Sequence, residues 1–178
     1  QQARITDPDI PDTHPAAESW GFGDRLALSE DGASLAVGTH LYGYSGGQAS
    51  GAVGLYDLAG ASWTRTSKFI GSFPTYLGSM VRMDRTGRLV LATAQDPTTY
   101  YPAAEGKGTL YGRSGDFWVV LQELSAFAGG NLLSSTNAAD ISSDGTCISM
   151  ANWYVEDTRA LIEYSIDYTD FLAAAGGR

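Results

Sequence analysis

Only two lysines, Lys68 and Lys107, stand among the 178 residues, against 20 acidic side chains, and the formal net charge is −9. Nucleic-acid backbones and anionic membrane surfaces select for Lys and Arg, so neither is expected as a partner. Cys147 is the sole cysteine, which excludes an intrachain disulfide and a cysteine metal cluster. It is expected to be a small buried residue at the start of a strand. The two histidines, His14 and His40, are 26 positions apart and do not make a zinc site by spacing. No run of about 18 apolar residues occurs, so no membrane-spanning helix is expected. No signal-peptide pattern stands at residue 1, as expected of a mature chain after removal of a leader.

What is abundant is glycine (22), tyrosine (10) and tryptophan (4), the make-up of a turn-rich β protein. Their placement is periodic. Gly23 and Gly78, Gly32 and Gly87, Tyr56 and Tyr111, Gly60 and Gly115, and Trp63 and Trp118 are all 55 residues apart. The stretch from Leu26 through Gly32 to Val37 answers to that from Val81 through Gly87 to Leu91, with one residue deleted after the glycine. A third copy runs from Ala139 through Gly145 to Met150, and Tyr164 stands where Tyr56 and Tyr111 stood. Self-similarity at this period signals repeated supersecondary units.

The chain is of a size for one domain. Residues 1–19 read as an extended arm, since prolines alternate with carboxylates in Asp7-Pro8-Asp9-Ile10-Pro11-Asp12 and each proline disfavours helix before it. Ile5 and Ile10 are its candidate anchors. Residues 20–167 form the repeat domain, in units of about 20–72, 73–130 and 131–167, and residues 168–178 form a tail with one or two helical turns. In the first unit the text predicts strands over 25–28, 34–37, 52–56 and 62–66, with a turn at Ser29-Glu30-Asp31-Gly32 and a glycine-rich loop over 38–51. The third unit keeps three strands. The expected fold is all-β, three repeated antiparallel units resembling β-propeller blades; a β-trefoil, also three units of four strands, is the alternative.

The string Gly21-Phe22-Gly23, a strand, Asp31-Gly32, Leu35-Ala36-Val37-Gly38, a loop and Gly51-Ala52-Val53-Gly54-Leu55-Tyr56 resembles the FG-GAP repeat of integrin-α-like β-propellers. The resemblance spans about 150 residues, most strongly in the first unit. It implies a blade architecture used outside the cell for adhesion or ligand binding, commonly without catalysis, and a ligand-binding side formed by the loops between second and third strands. Family members often bind calcium between the first two strands. The turns here, Ser29-Glu30-Asp31-Gly32, Asp84-Arg85-Thr86-Gly87 and Ser142-Ser143-Asp144-Gly145, offer one or two carboxylates each where calcium wants six to eight oxygens. They are read as hairpin turns, and no metal or cofactor is expected.

Candidate chemistry is sparse. Gly43-Tyr44-Ser45-Gly46-Gly47 matches a nucleophile-elbow pattern, but the elbow needs a following helix and a later histidine, and both histidines precede Ser45. A glycan hydrolase needs two carboxylates at a set separation, and no motif singles out a pair. The loops between second and third strands carry Tyr42 and Tyr44, Tyr100 and Tyr101, and Trp153 and Tyr154. These aromatics either stack on sugars, anchor a protein interface, or cover the ends of the units. Tyr56, Tyr111, Trp63 and Trp118 recur at fixed places and are read as packing between units. Three units are fewer than the four to eight blades of a propeller. The expectation is a non-catalytic extracellular structural or adhesive module that completes itself against copies or neighbouring chains, with glycan binding by the aromatic loops as the alternative.

Overall fold

The computed structural model describes residues 5–10, 20–44, 48–72, 74–94, 107–125, 138–151 and 161–166. Among these residues eleven strands form three antiparallel meanders. The first sheet holds β1 (Arg25–Leu28), β2 (Ser34–Thr39), β3 (Ala52–Ala59) and β4 (Ser62–Ile70). The second holds β5 (Met80–Met83), β6 (Leu89–Ala94), β7 (Lys107–Ser114) and β8 (Phe117–Ser125). The third holds β9 (Ala138–Ile141), β10 (Cys147–Ala151) and β11 (Leu161–Ser165). No helix occurs among the described residues. Every strand pairs within its own unit. A trefoil barrel would need pairing between units, and no described strand makes it.

Leu28 pairs with Leu35 and Met83 with Val90, so the 55-residue offset runs unbroken from β1–β4 to β5–β8. The deletion expected after Gly87 is therefore absent, and Leu89 stands where Ser34 does. Opposite Tyr56 and opposite Tyr111 the register slips by a bulge. The extra residue breaks the period-two alternation in the fourth strand. For this reason β4 runs on to Ile70, beyond the 62–66 stretch that alternation alone marks out.

The hairpin turns are built alike with exchanged parts. Ser29 donates to Asp31 Oδ1 (2.6 Å), which also accepts from the Ala33 amide (2.9 Å), while the Ser34 amide donates back to Ser29 Oγ (2.9 Å). The third unit repeats this with Ser142, Asp144, Thr146 and Cys147. In the second unit the carboxylate and hydroxyl trade places: Asp84 accepts from the Thr86 hydroxyl and amide and from the amides of Arg88 and Leu89. Gly32, Gly87 and Gly145 close the turns at φ 70°, 69° and 75°, where a side chain would be strained. Each turn also grips the next. The Glu30 amide donates to the Arg85 carbonyl (3.0 Å), and the Arg85 amide to the Ser143 carbonyl (2.9 Å).

The sheets stack face to face in chain order. Between the first two lie Ala36, Val53 and Leu55 on one side and Val81, Val90, Ala92, Tyr111 and Trp118 on the other. Between the second and third lie Leu89, Leu91, Leu110 and Leu124 against Ala139, Ile141, Ile148 and Met150. Val81, Val90, Leu110 and Ile148 are fully buried, and each such side chain contributes about 1.5–3 kcal/mol over an exposed one.

Candidate interaction surfaces

Leu26, Leu28, Leu35, Val37, Tyr56 and Trp63 are the 55-residue equivalents of Val81, Met83, Val90, Ala92, Tyr111 and Trp118, the residues that seal the second sheet onto the first. Among the described residues no sheet covers this face of the first sheet. Part of it is covered by Ile5 from the arm and by Phe22, packed on Leu35, Val37 and Tyr56. The cover stops short of β1. Leu26 and Leu28 are 57% and 56% exposed, whereas Val81 is fully buried.

Charge fastens the arm. Arg65 Nη1 donates to Asp7 Oδ1 (2.6 Å) and Asp9 Oδ2 (2.8 Å), and Lys68 Nζ to Asp7 Oδ2 (2.7 Å) and Asp9 Oδ2 (3.0 Å). Asp7 itself is buried. The Arg65 guanidinium, then the Lys68 ammonium, hold the Asp9 carboxyl below the ordinary carboxylate range. Burial, with the nearby Asp7 carboxylate adding to it, pushes the Tyr56 phenol up to about 12.

Of the six aromatics singled out in the long loops, Tyr42 and Tyr44 fall among the described residues; Tyr100, Tyr101, Trp153 and Tyr154 lie outside them. Tyr42 is engaged. The Lys68 ammonium stands 3.8 Å from its ring centroid, and Trp20 meets it edge to face at 5.3 Å. Tyr44 is 49% exposed. Ser45 also lies outside the described residues. His40 follows β2 with Nδ1 3.7 Å from Asp24 Oδ2, and burial lowers its pKa. Tyr111 and Trp118 are buried, and Trp63 is partly so. Cys147 opens β10 and is half-buried rather than buried.

The opposite end of the stack differs. Asp140, Ser149 and Glu163 pair across β9, β10 and β11 and form a polar row on the outward face of the third sheet. The equivalent residues in the first two sheets include Ala36 and Leu91, both buried between units. Between the first and second sheets, beside Phe69 and Tyr111, lies a cleft of about 410 Å³.

Arg65 and Lys68 escape a reading of either copy alone. Comparison of the copies exposes them, because the same places in β8 hold Val120 and Glu123. Among the described residues no group of three or more His, Cys, Asp and Glu could hold a metal ion. The turn carboxylates are engaged by donors of their own turns, as Asp144 shows: hydrogen bonds from Ser142 and Thr146 take its carboxyl down to about 2. No protein-family model matches the chain, and no curated protein matches it.

Proposed function

We propose that this chain is a non-catalytic, extracellular stack of FG-GAP-like blades that works as a structural or adhesive module by packing against another polypeptide, foremost a second copy of itself. The observation that carries this reading is the exposure of Leu26 and Leu28 on the face whose equivalents in the next unit are sealed by a neighbouring sheet. Apolar positions of this kind are covered when a partner sheet arrives. The row of Asp140, Ser149 and Glu163 on the far face of the third sheet is a poor match for that apolar face, which disfavours head-to-tail stacking of copies. A two-fold contact between first sheets is self-complementary and closes as a dimer. The low lysine content and the abundance of Gly and Tyr support the extracellular setting.

Sedimentation velocity of the intact chain tests this reading. A dimer at micromolar concentration that becomes a monomer in the Leu26→Lys, Leu28→Lys double variant, with unchanged circular dichroism, is the expected result. A wild-type chain that stays monomeric at every attainable concentration removes the reading. The second reading, ligand binding by the aromatic loops, draws on the exposed Tyr44. It ranks behind the first because Tyr42 is engaged with Lys68 and Trp20. Glycan-array binding lost in Tyr100→Ala and Trp153→Ala variants would put it in front.

A further inference from the structure

The arm shows what the front of a unit can hold. On the first unit residues 5–10 lay Ile5 on the cluster around Tyr56. The stretch is not extended as the prolines suggested: the Ile10 amide donates to the Asp7 carbonyl (3.1 Å), and this turn directs Asp7 and Asp9 together to Arg65 and Lys68. Fifty-five residues on, the places of Tyr56, Arg65 and Lys68 are taken by Tyr111, Val120 and Glu123. These three line the cleft of about 410 Å³ between the first and second sheets. Its opposite wall is the end of β4, where Phe69 lies over Tyr111 with ring centroids 4.3 Å apart. Ile70 and Val120, on either side, are 56% and 51% exposed. The cleft is thus the second unit's version of the groove that the arm fills on the first.

The exchange of Lys68 for Glu123 reverses the charge that a bound segment meets. An arm carrying Asp7 and Asp9 would bring carboxylates onto the Glu123 carboxylate, so this chain's own arm, and that of a second copy, is repelled from the cleft. Lys107, which stands where Ala52 does, adds a cation farther along the same face. We infer that this cleft binds a short turn-bearing segment of a different protein, with an aliphatic residue between Ile70 and Val120, a basic side chain over Glu123 and an acidic one toward Lys107. Volume and lining suit such an occupant, since peptide and ligand grooves combine an apolar floor with a few placed charges.

The probe is a synthetic peptide of residues 5–10 carrying Asp7→Lys, compared with the unchanged peptide, in NMR titrations of the intact chain. The Asp7→Lys peptide should bind at least tenfold more tightly than the unchanged one and shift resonances of Ile70, Val120 and Glu123. In a Val120→Arg, Glu123→Lys variant, which rebuilds the first unit's basic pair on β8, the preference should reverse. Both positions are exposed, and Glu123→Gln, which keeps the side-chain volume, serves as the milder variant; it should weaken the Asp7→Lys peptide several-fold. Absence of binding by either peptide, shifts confined to other surfaces, or a preference unmoved by Glu123→Gln would overturn the proposal. Dimerisation through Leu26 and Leu28 uses a different face, so the fates of the two proposals are separable.

Discussion

Arg113 of the second unit holds Asp57 of the first through two parallel hydrogen bonds, Nη1 to Oδ1 at 2.7 Å and Nη2 to Oδ2 at 2.5 Å. Both side chains are about one quarter exposed, and the guanidinium also lies 5.9 Å from the Trp118 ring centroid. Neither partner recurs: Leu58 and Gly112 occupy their places in the other copy. This fork is a clamp particular to one junction. Arg113→Ala or Asp57→Asn should cost about 1–3 kcal/mol in urea denaturation, since each leaves a charged hydrogen-bonding group without its partner. The double variant should cost less than the sum of the two single ones. Strict additivity would show that the pair is not coupled.

The arm is expected to leave its seat in acid. The Asp9 carboxyl is held below its ordinary range by Arg65 and Lys68 in the docked state. A depressed carboxylate stabilises docking fully above its free pKa of about 4, and that stabilisation is lost as pH falls through the docked value. Docking should therefore be flat from pH 7 to 5 and weaken below about 4, read from the methyl resonances of Ile5. A transition centred near neutrality would assign control to some other group.

Removing a charge from this cluster should do the same at neutral pH. Lys68 and Asp7 are 8% and 3% exposed in their side chains, and breaking a buried pair by deleting one partner costs about 3 kcal/mol or more. Lys68→Met is expected to free the arm and bare the Tyr56 face, with increased binding of a hydrophobic dye. Unchanged dye binding and stability would mean that Arg65 and Ile5 hold the arm without Lys68.

Legibility of the fold in the sequence falls with distance along the chain. The hairpins β1–β2 and β5–β6 are local, their turn glycines and alternating apolar residues adjoin, and the 55-residue period doubles every signal. The bulge at Tyr56 hid the second half of β4, because one inserted residue inverts the alternation that marks a strand. The docking of the arm was less legible still. Asp7 meets Arg65 and Lys68 across 58 and 61 residues, and nothing in a proline-bearing acidic stretch says which bases it will find. Their strongest trace is a departure from the repeat, a basic pair where the other copy has valine and glutamate.

Where the backbone of the second unit crosses that of the first at Gly78, glycine is required. Gly78 has φ +87°, and a methyl group there would run into the Ala52 carbonyl oxygen and stand 3.1 Å from the Gly38 Cα. Gly78→Ala should destabilise by at least about 2 kcal/mol, from backbone strain together with separation of the units. Gly23, its equivalent at the front of the first unit, also has positive φ, +85°, but open space around its Cβ position. Gly23→Ala should cost less, by the packing part of that penalty. Equal losses in thermal denaturation would assign the whole effect to φ.

Two tyrosines report separately on the two kinds of cover. Burial pushes both Tyr56 and Tyr111 up to about 12, but Tyr111 is shielded by the neighbouring sheet and its Phe69, whereas the arm belongs to the cover over Tyr56. A phenol kept neutral in the folded state opposes unfolding until the unfolded chain ionises, so stability should decline between about pH 10 and 12 as pH rises. Stopped-flow pH jumps that read phenolate absorbance before alkaline unfolding should find two late-ionising tyrosines in the native chain. In Lys68→Met, Tyr56 loses both its cover and the nearby Asp7 carboxylate that also raises its pKa. One of the two should then move back toward the ordinary value near 10 while Tyr111 stays. If both move together, the arm holds the whole stack in place; if neither moves, Phe22 and Trp63 shield Tyr56 without the arm.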